Sequence, residues 1–466
     1  MTGRVMIDVL PNEVLLEVFH FYVDDSLLDD EIAAWHTLVH VSRKWRCVVF
    51  DSPRRLNLQL LCLPSTPVRE MLTIWPPLPI IIRGHYHSAY NEDNIISALE
   101  HPDRVCQVEL SGVPSSLLEN LLPAMQEPFP ALTYLRLVTK NNTAPAIPGS
   151  FLGGFAPHLG TLWLKGIPIP FPGLRKLLSS TTNLTVLYLD KIPHSGYFSP
   201  EAMVTCLSAL TRLQTLEVGF ESPQSRPYRE NRRLPPLTRT LLPSLYELLF
   251  TGVSEYLEDL VARIDTPLLS CLDMTLFHQL IFDTPQLAQF LSRSSPRQKD
   301  EAPDEAHMIF SDSDAKVSLF GPFQCGPESR ISCRQLDWQL SAIAQVCSSS
   351  FSHASISTVE HLHILEDGDL HSRWEDDVEN GQWLELLHPF TAVKSLFLSQ
   401  KVAARIAPAL QELVGERANE VLPTLQNIFM EGLGSSGVVP EGIGQFVTAR
   451  HLSSHPIAVV PGTEMW

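Results

Sequence analysis

Two histidine pairs are the first residues in this chain whose spacing could do chemistry. His361-Leu362-His363 and His85-Tyr86-His87 each place two imidazoles two residues apart. On a strand both rings of a pair would share one face, because successive side chains alternate. Asp367, Asp369 and His371 come soon after the first pair, so a divalent metal is conceivable there. The repeat pattern of this chain, however, makes His361 and His363 outward, solvent-facing positions around an inward Leu362, and no metal site is expected. Cys325 and Cys333 lack the short spacing of a zinc knuckle and are expected to be packed thiols. Gly432-Leu433-Gly434-Ser435-Ser436-Gly437 fits the G-x-G-x-x-G dinucleotide fingerprint, which needs a helix N-terminus facing the pyrophosphate. Pro440 interrupts that helix, and the glycine has counterparts at Gly112, Gly166 and Gly252, so a recurrent turn is expected instead. Serines, histidines and aspartates occur without a motif that would hold a nucleophile beside its base. Catalytic residues, cofactors and metals are therefore not expected, and neither is an enzyme. Arg226, Arg229, Arg232, Arg233 and Arg239 form one basic loop; it is expected to be solvated, or else to attract an acidic or phosphorylated segment through bidentate guanidinium contacts.

The elements that would carry these residues are set by a repeat. Apolar-x-x-apolar-x-apolar occurs at Val105/Val108/Leu110, Leu132/Leu135/Leu137, Leu159/Leu162/Leu164 and Leu184/Leu187/Leu189. It continues through Leu213/Leu216/Val218, Leu245/Leu248/Phe250 and Leu269/Leu272/Met274. After a gap it returns at Val359/Leu362/Ile364, Val393/Leu396/Leu398 and Leu425/Ile428/Met430. A turn with one apolar anchor recurs after the pattern, as in Gly112-Val113-Pro114, Gly166-Ile167-Pro168 and Lys191-Ile192-Pro193, and amphipathic stretches at helical spacing come next. Inside the gap, Met308–Phe310 and Lys316–Phe320 read as a hairpin across 311–314 and Arg334–Cys347 as a helix, in a degenerate or inserted region, 292–350.

Composition narrows the setting. Against 34 basic residues stand 52 acidic ones, a net charge of −18, which argues against the basic surface that nucleic-acid binding needs. Eight cysteines in 466 residues are too few for a disulfide scaffold. The N-terminal apolar run is broken by Asp8, Glu13 and Glu17, and the longest uncharged stretch is broken by prolines; neither a signal peptide nor a membrane span is expected. A cytoplasmic or nuclear protein is the expectation.

The repeat resembles leucine-rich repeats of the longer, helix-containing kind. That resemblance implies an α/β fold in which each unit buries its strand leucines against its neighbours, giving a solenoid with a parallel concave sheet. The N-terminal residues differ. Leu10-Pro11-x-Glu13-Val14 opens a helix, and an acidic connector (Asp24, Asp25, Asp29, Asp30, Glu31) leads to Leu38-x-x-Val41-Ser42-x-x-Trp45-Arg46 and then Ser52-Pro53. These residues resemble the F-box, departing in the longer connector and in the residues after Pro53, which lack the motif's usual tryptophan. The chain as a whole is similar to F-box proteins of mushroom-forming fungi. Expected domains are a helical F-box-like module, 1–60; a connector and N-terminal edge of the solenoid, 61–104; the solenoid, 105–435; and a tail, 436–466.

The F-box resemblance implies a substrate-recognition subunit of an SCF-type (Skp1–cullin–F-box) ubiquitin ligase. Leu10, Pro11, Val14, Leu38, Val41 and Trp45 match the adaptor-facing and internal positions of the motif. The alternatives are that 10–56 merely caps the solenoid, or that the chain is a repeat scaffold without a role in ubiquitin transfer. For the protein substrate, the residue between the second and third apolar positions points away from the core. The resulting column is Glu109, Arg136, Trp163, Tyr188, Glu217, Leu249, Asp273, His363, Phe397 and Phe429, flanked by a second column that includes Tyr134. Tyr134, Arg136, Trp163, Tyr188, Phe397 and Phe429 are the expected substrate-binding residues, being of types enriched at interface hot spots and expected to form an exposed apolar patch.

Overall fold

The computed structural model describes residues 10–25, 35–84, 90–140, 144–227, 238–294, 303–321, 325–333, 336–351, 356–367, 379–433 and 438–462. The chain divides into two compact units, Met1–Val186 and Leu187–Trp466. In both, the fold is α/β and leucine-rich-repeat-like, short strands alternating with helical crossovers around a leucine core. Among the described residues no helix is long and apolar enough to cross a membrane.

The first unit begins with helices Asn12–Asp25, Trp35–Val41 and Arg43–Asp51. Ser42 separates the last two: its backbone is extended and its side-chain oxygen accepts a hydrogen bond from Trp45 N, satisfying a donor that a helix start leaves orphaned. Leu15, Phe19, Trp35, Leu38, Val39, Trp45, Val48 and Val49 make the core of this module, and the same cluster runs on into Leu56, Leu58 and Leu78. The module core is therefore continuous with the residues that lead into the first two strands. Of the acidic connector, Asp29, Asp30 and Glu31 lie outside the described residues.

Five strands come next: Leu60–Cys62, Ile80–Gly84, Val105–Val113, Tyr134–Thr139 and Thr161–Lys165, parallel and hydrogen-bonded in chain order. The register sets Val108 against Leu135 and Leu135 against Leu162, and all three are buried. Each such side chain contributes about 1.5–3 kcal/mol by leaving water, so the repeat leucines hold the register. Alternate residues on the same strands are only half-buried and form the other, helix-free face. The first two strands span 60–84, ahead of the first legible repeat at Val105, and the first of them starts in the last residue of the expected module 1–60; Ile80-Ile81-Ile82 there is an apolar run set between prolines and a glycine. At the strand exits the chain passes through left-handed geometry, φ +74° at Gly112 and +72° at Gly166. A Cβ at Gly166 would meet Thr139 Oγ1 at 2.5 Å, which is why the turn keeps glycine.

In the second unit the strands Thr215–Phe220, Glu247–Gly252 and Cys271–Phe277 run parallel in order. The gap in the repeat pattern is then filled by three strands. Cys325–Ser332 lies parallel to Cys271–Phe277 and antiparallel to Asp314–Phe320, which is antiparallel to Glu305–Phe310. Glu305–Phe310 is parallel to His361–Glu366, from which Ser395–Leu398, Asn427–Met430 and Ala458–Pro461 continue the parallel sheet. An odd number of inserted strands with the middle one reversed lets the parallel direction resume. The expected hairpin is found, and the expected helix is Leu336–Ser349. Strand Cys325–Ser332, which begins Cys325-Gly326-Pro327, carries the glycine and proline that argue against a strand in sequence. Past residue 435, helix Glu441–Leu452 precedes the last strand. Gly432 has φ +74° after Asn427–Met430, so the start of the dinucleotide-like sequence is a strand-exit turn; 434–437 lie outside the described residues.

Candidate functional site

Two surfaces combine accessibility with chemistry: the outer face of the first helix and the helix-free face of the sheet. On Asn12–Asp25, Leu15 and Phe19 point into the module core, while Val14, Val18, Phe21 and Tyr22 are exposed, Phe21 by 73%. These four sit at i, i+4, i+7 and i+8, one continuous stripe of a helix. Val41 is also exposed. Of the expected adaptor residues, Pro11, Val14 and Val41 are accessible and Leu10 packs partly against the core, its carbonyl accepting from Lys44 Nζ at 2.8 Å. Leu38 and Trp45 are buried, Trp45 against Phe19 at 4.7 Å between ring centroids. Their role is internal. Helical spacing from Val14 signals Val18, Phe21 and Tyr22 alike; that the stripe faces outward is seen only from their exposure.

The helix-free face of the first unit carries a ladder of charges. Strand register sets Arg83 opposite Glu109, Glu109 opposite Arg136 and Arg136 opposite Trp163. Glu109 lies 3.9 Å from Arg83 and 3.5 Å from Arg136, and the Arg136 guanidinium stands 4.3 Å above the Trp163 ring. Tyr134 is half-buried opposite Thr161.

In the second unit the register draws the same column through Glu217, Leu249, Asp273, Glu328, Ser318, His307, His363, Phe397 and Phe429. Tyr188 is half-buried, and burial, with Glu247 and Glu217 adding to it, pushes its phenol up. Burial and the neighbouring Glu328 raise the Asp273 carboxyl, against Arg330 and Lys316. Phe397 stacks on Phe429 at 4.5 Å and on His363 at 4.0 Å, with the ring planes nearly parallel in both cases.

The sequence expectation of an exposed aromatic patch is therefore corrected. Tyr134, Trp163, Tyr188, Phe397 and Phe429 are all half-buried: the Arg136 guanidinium covers Trp163, and strands about 4.8 Å apart bring the in-register rings of Phe397, Phe429 and His363 into face contact. The expectation for His363 is corrected further: it is only 5% exposed. The inserted strand Glu305–Phe310 runs beside it, setting His307 opposite His363. His307 Nε2 lies 2.6 Å and His363 Nε2 3.0 Å from the same Glu305 oxygen. Burial, with His307 adding to it and Glu305 opposing, brings the His363 imidazole down to about 4, so it is neutral near pH 7. The sequence alone does not single out Glu305 and His307. Their signal, Glu-x-His at strand period, gains meaning only once strand 305–310 is known to pair with 361–366. His361 is half-buried and its ring lies 6.4 Å from Phe397. Asp367 stands outside the cluster, its backbone N–H donating to Phe310 O. His85, His87, Asp369 and His371 lie outside the described residues, as do Arg229, Arg232 and Arg233. Arg226 and Arg239 each donate to a backbone carbonyl, of Pro223 and Ala262. Cys333 is buried and in no disulfide; the Cys325 side chain is outside the described part of the structure.

No family model matches this chain, and no curated protein sequence matches it. Among solved structures it is similar to the leucine-rich repeat-containing protein LegL7 from Legionella pneumophila, with 13% identity, 86% of this chain and 98% of that chain covered, and a TM-score of 0.28. It is also similar to the Rad7 and Elc1 complex in yeast, with 13% identity, 96% of this chain and 92% of that chain covered, and a TM-score of 0.32.

Proposed function

We propose that the chain is a substrate-recognition subunit of a cullin-type ubiquitin ligase, working in the cytoplasm or nucleus. Its N-terminal helices would dock on a Skp1-type adaptor, and through it a cullin, while the helix-free sheet face would hold a protein substrate. The chain itself would do no chemistry and bind no nucleic acid or membrane. Its contribution would be effective concentration: a tethered target lysine meets the charged conjugating enzyme as a near-intramolecular partner. The observation that carries this reading is the apolar stripe Val14, Val18, Phe21 and Tyr22, exposed on a helix whose opposite face is already packed. A solvated surface gains nothing by displaying such a stripe unless a partner covers it.

A second reading, a repeat scaffold without ubiquitin transfer, has one observation in its favour. The module core continues into Leu56, Leu58 and Leu78, as a simple cap would. The test is capture of a purified Skp1-type adaptor by the full chain and by the variant Val18→Asp with Phe21→Asp. Both positions are exposed, so the far-UV circular dichroism should not change. Removing central apolar anchors commonly costs about 2 kcal/mol or more, over about tenfold in affinity. Capture by the unaltered chain and its loss in the variant support the ligase reading. No capture by the unaltered chain, or undiminished capture by the variant, leaves the cap.

A further inference from the structure

We propose that Glu305, His307 and His363 form a binding site for a divalent transition-metal ion, zinc by preference, on the helix-free face of the second unit. The three ligand atoms, one from each residue, all lie within 4.8 Å of one another. Both imidazole Nε2 atoms already converge on one carboxylate oxygen, at 2.6 Å from His307 and 3.0 Å from His363. Two adjacent parallel strands hold them there. His307 faces His363 directly in the register, and Glu305 precedes His307 by two residues, so all three side chains project from the same face.

The surroundings fix the rings. His363 is sandwiched, its ring 4.0 Å from Phe397 and 4.4 Å from His307, and His307 lies 4.7 Å from Phe320. Rings held in place lose little freedom when a metal binds, and aromatic walls limit water around the charge. The Glu305 side chain is 37% exposed, so the cluster keeps a route to solvent.

The donor set selects the ion. Two imidazole nitrogens and one carboxylate oxygen suit zinc and other borderline divalent ions; calcium and magnesium take oxygen ligands. Three protein ligands leave a tetrahedral ion one open position, and the part-exposed Glu305 side chain keeps the cluster within reach of solvent. That position would take water, or a histidine or carboxylate donated by a bound protein. The inference does not depend on adaptor docking: its residues belong to other elements, and its test contains no adaptor.

The experiment uses the full, untagged chain, stripped with a chelator and titrated with zinc by calorimetry. Cobalt(II) provides a spectroscopic readout, since tetrahedral cobalt absorbs strongly in the visible. The expected result is about one equivalent bound at micromolar affinity or tighter, with tetrahedral cobalt bands. Glu305→Gln and His307→Asn, at partly exposed positions, should each weaken binding by at least about tenfold and shift the cobalt spectrum while leaving the circular dichroism unchanged. His363→Ala is a weaker test, because that ring is packed against Phe397. Well under one equivalent in the unaltered chain overturns the proposal. So does binding that persists in the Glu305→Gln, His307→Asn double variant, which would place the ion on others of the 17 histidines.

Discussion

Polar side chains on the helix side of the second unit and on the helix-free face of the first are made of the same groups, yet they do different work. On the helix side, Arg450 is fully buried and its guanidinium donates to the carbonyls of Ala418, Leu422, Pro423 and Leu425 and to Asn419 Oδ1. Glu258, also buried, accepts from Gln286 N at 2.9 Å and Leu287 N at 2.6 Å, closing the first turn of helix Pro285–Ser294. On the helix-free face, the side chains of Arg83, Glu109 and Arg136 keep 33%, 24% and 31% of their surface and pair at 3.5–3.9 Å. A buried polar group that loses its partner strands that partner away from water, whereas solvent replaces much of what a half-exposed ion pair loses. The first set is therefore tied to the fold. The second can change without unfolding the chain, which is the property a recognition surface needs.

The largest expected effect breaks the helix side. Arg450→Leu keeps the volume roughly apolar but leaves several buried carbonyls without donors, and should cost roughly 3 kcal/mol or more. Urea unfolding monitored by circular dichroism measures it; a loss under about 1 kcal/mol would mean that water reaches those carbonyls. Glu258→Ala comes next. It removes the acceptor for two amides at a helix start and should cost about 2 kcal/mol, while Glu258→Gln, which keeps an acceptor and drops the charge, should cost about half of that. Equal losses in the two variants would show that the charge, rather than the hydrogen bonds, carries the cap.

The same contrast explains what the sequence disclosed. Leucine spacing announces the buried side of every regular repeat, because a solvent-excluded position tolerates few residue types; Leu135, Leu162 and Leu216 stand where the pattern puts them. The open-side column was legible as positions in part: the register pairs Glu109, Arg136 and Trp163 in the first unit and Glu217, Leu249 and Asp273 in the second, but sets Glu328, Ser318 and His307 between Asp273 and His363. What could not be read was mutual cover. Whether Phe397 is exposed depends on Phe429 and His363 lying flat against it, a property of three strands together. Least legible was the insertion: Glu305 and His307 meet His363 only because three strands enter with the middle one reversed. The turn positions fall between these extremes. Gly166 and Lys191 each stand two residues after the last leucine of their repeat, Leu164 and Leu189, and both have positive φ, +72° and +49°, so the turn geometry was implied by glycine and then kept by a lysine that adopts it at some cost.

The smallest expected effect on stability sharpens the comparison most, because it separates fold from recognition. Arg136 over Trp163, at 4.3 Å, is a cation–π contact worth about 0.5–1 kcal/mol at a partly exposed site. A double-mutant cycle with Arg136→Gln and Trp163→Leu should return a coupling of that size from urea unfolding, since both side chains project from the helix-free face and neither fills the leucine core. A coupling above about 2 kcal/mol would place the pair with Arg450 and Glu258 as a structural staple. The functional arm runs in the opposite direction. If this face holds a protein, Trp163→Ala should leave the circular dichroism and adaptor capture unchanged and yet strip proteins that co-purify with the chain, because Trp and Arg anchors dominate binding energy where they contribute little to folding. An unchanged set of co-purifying proteins, with the fold intact, would move recognition off this ladder and onto the imidazole–phenylalanine column of the second unit, where Phe397→Ala becomes the corresponding test.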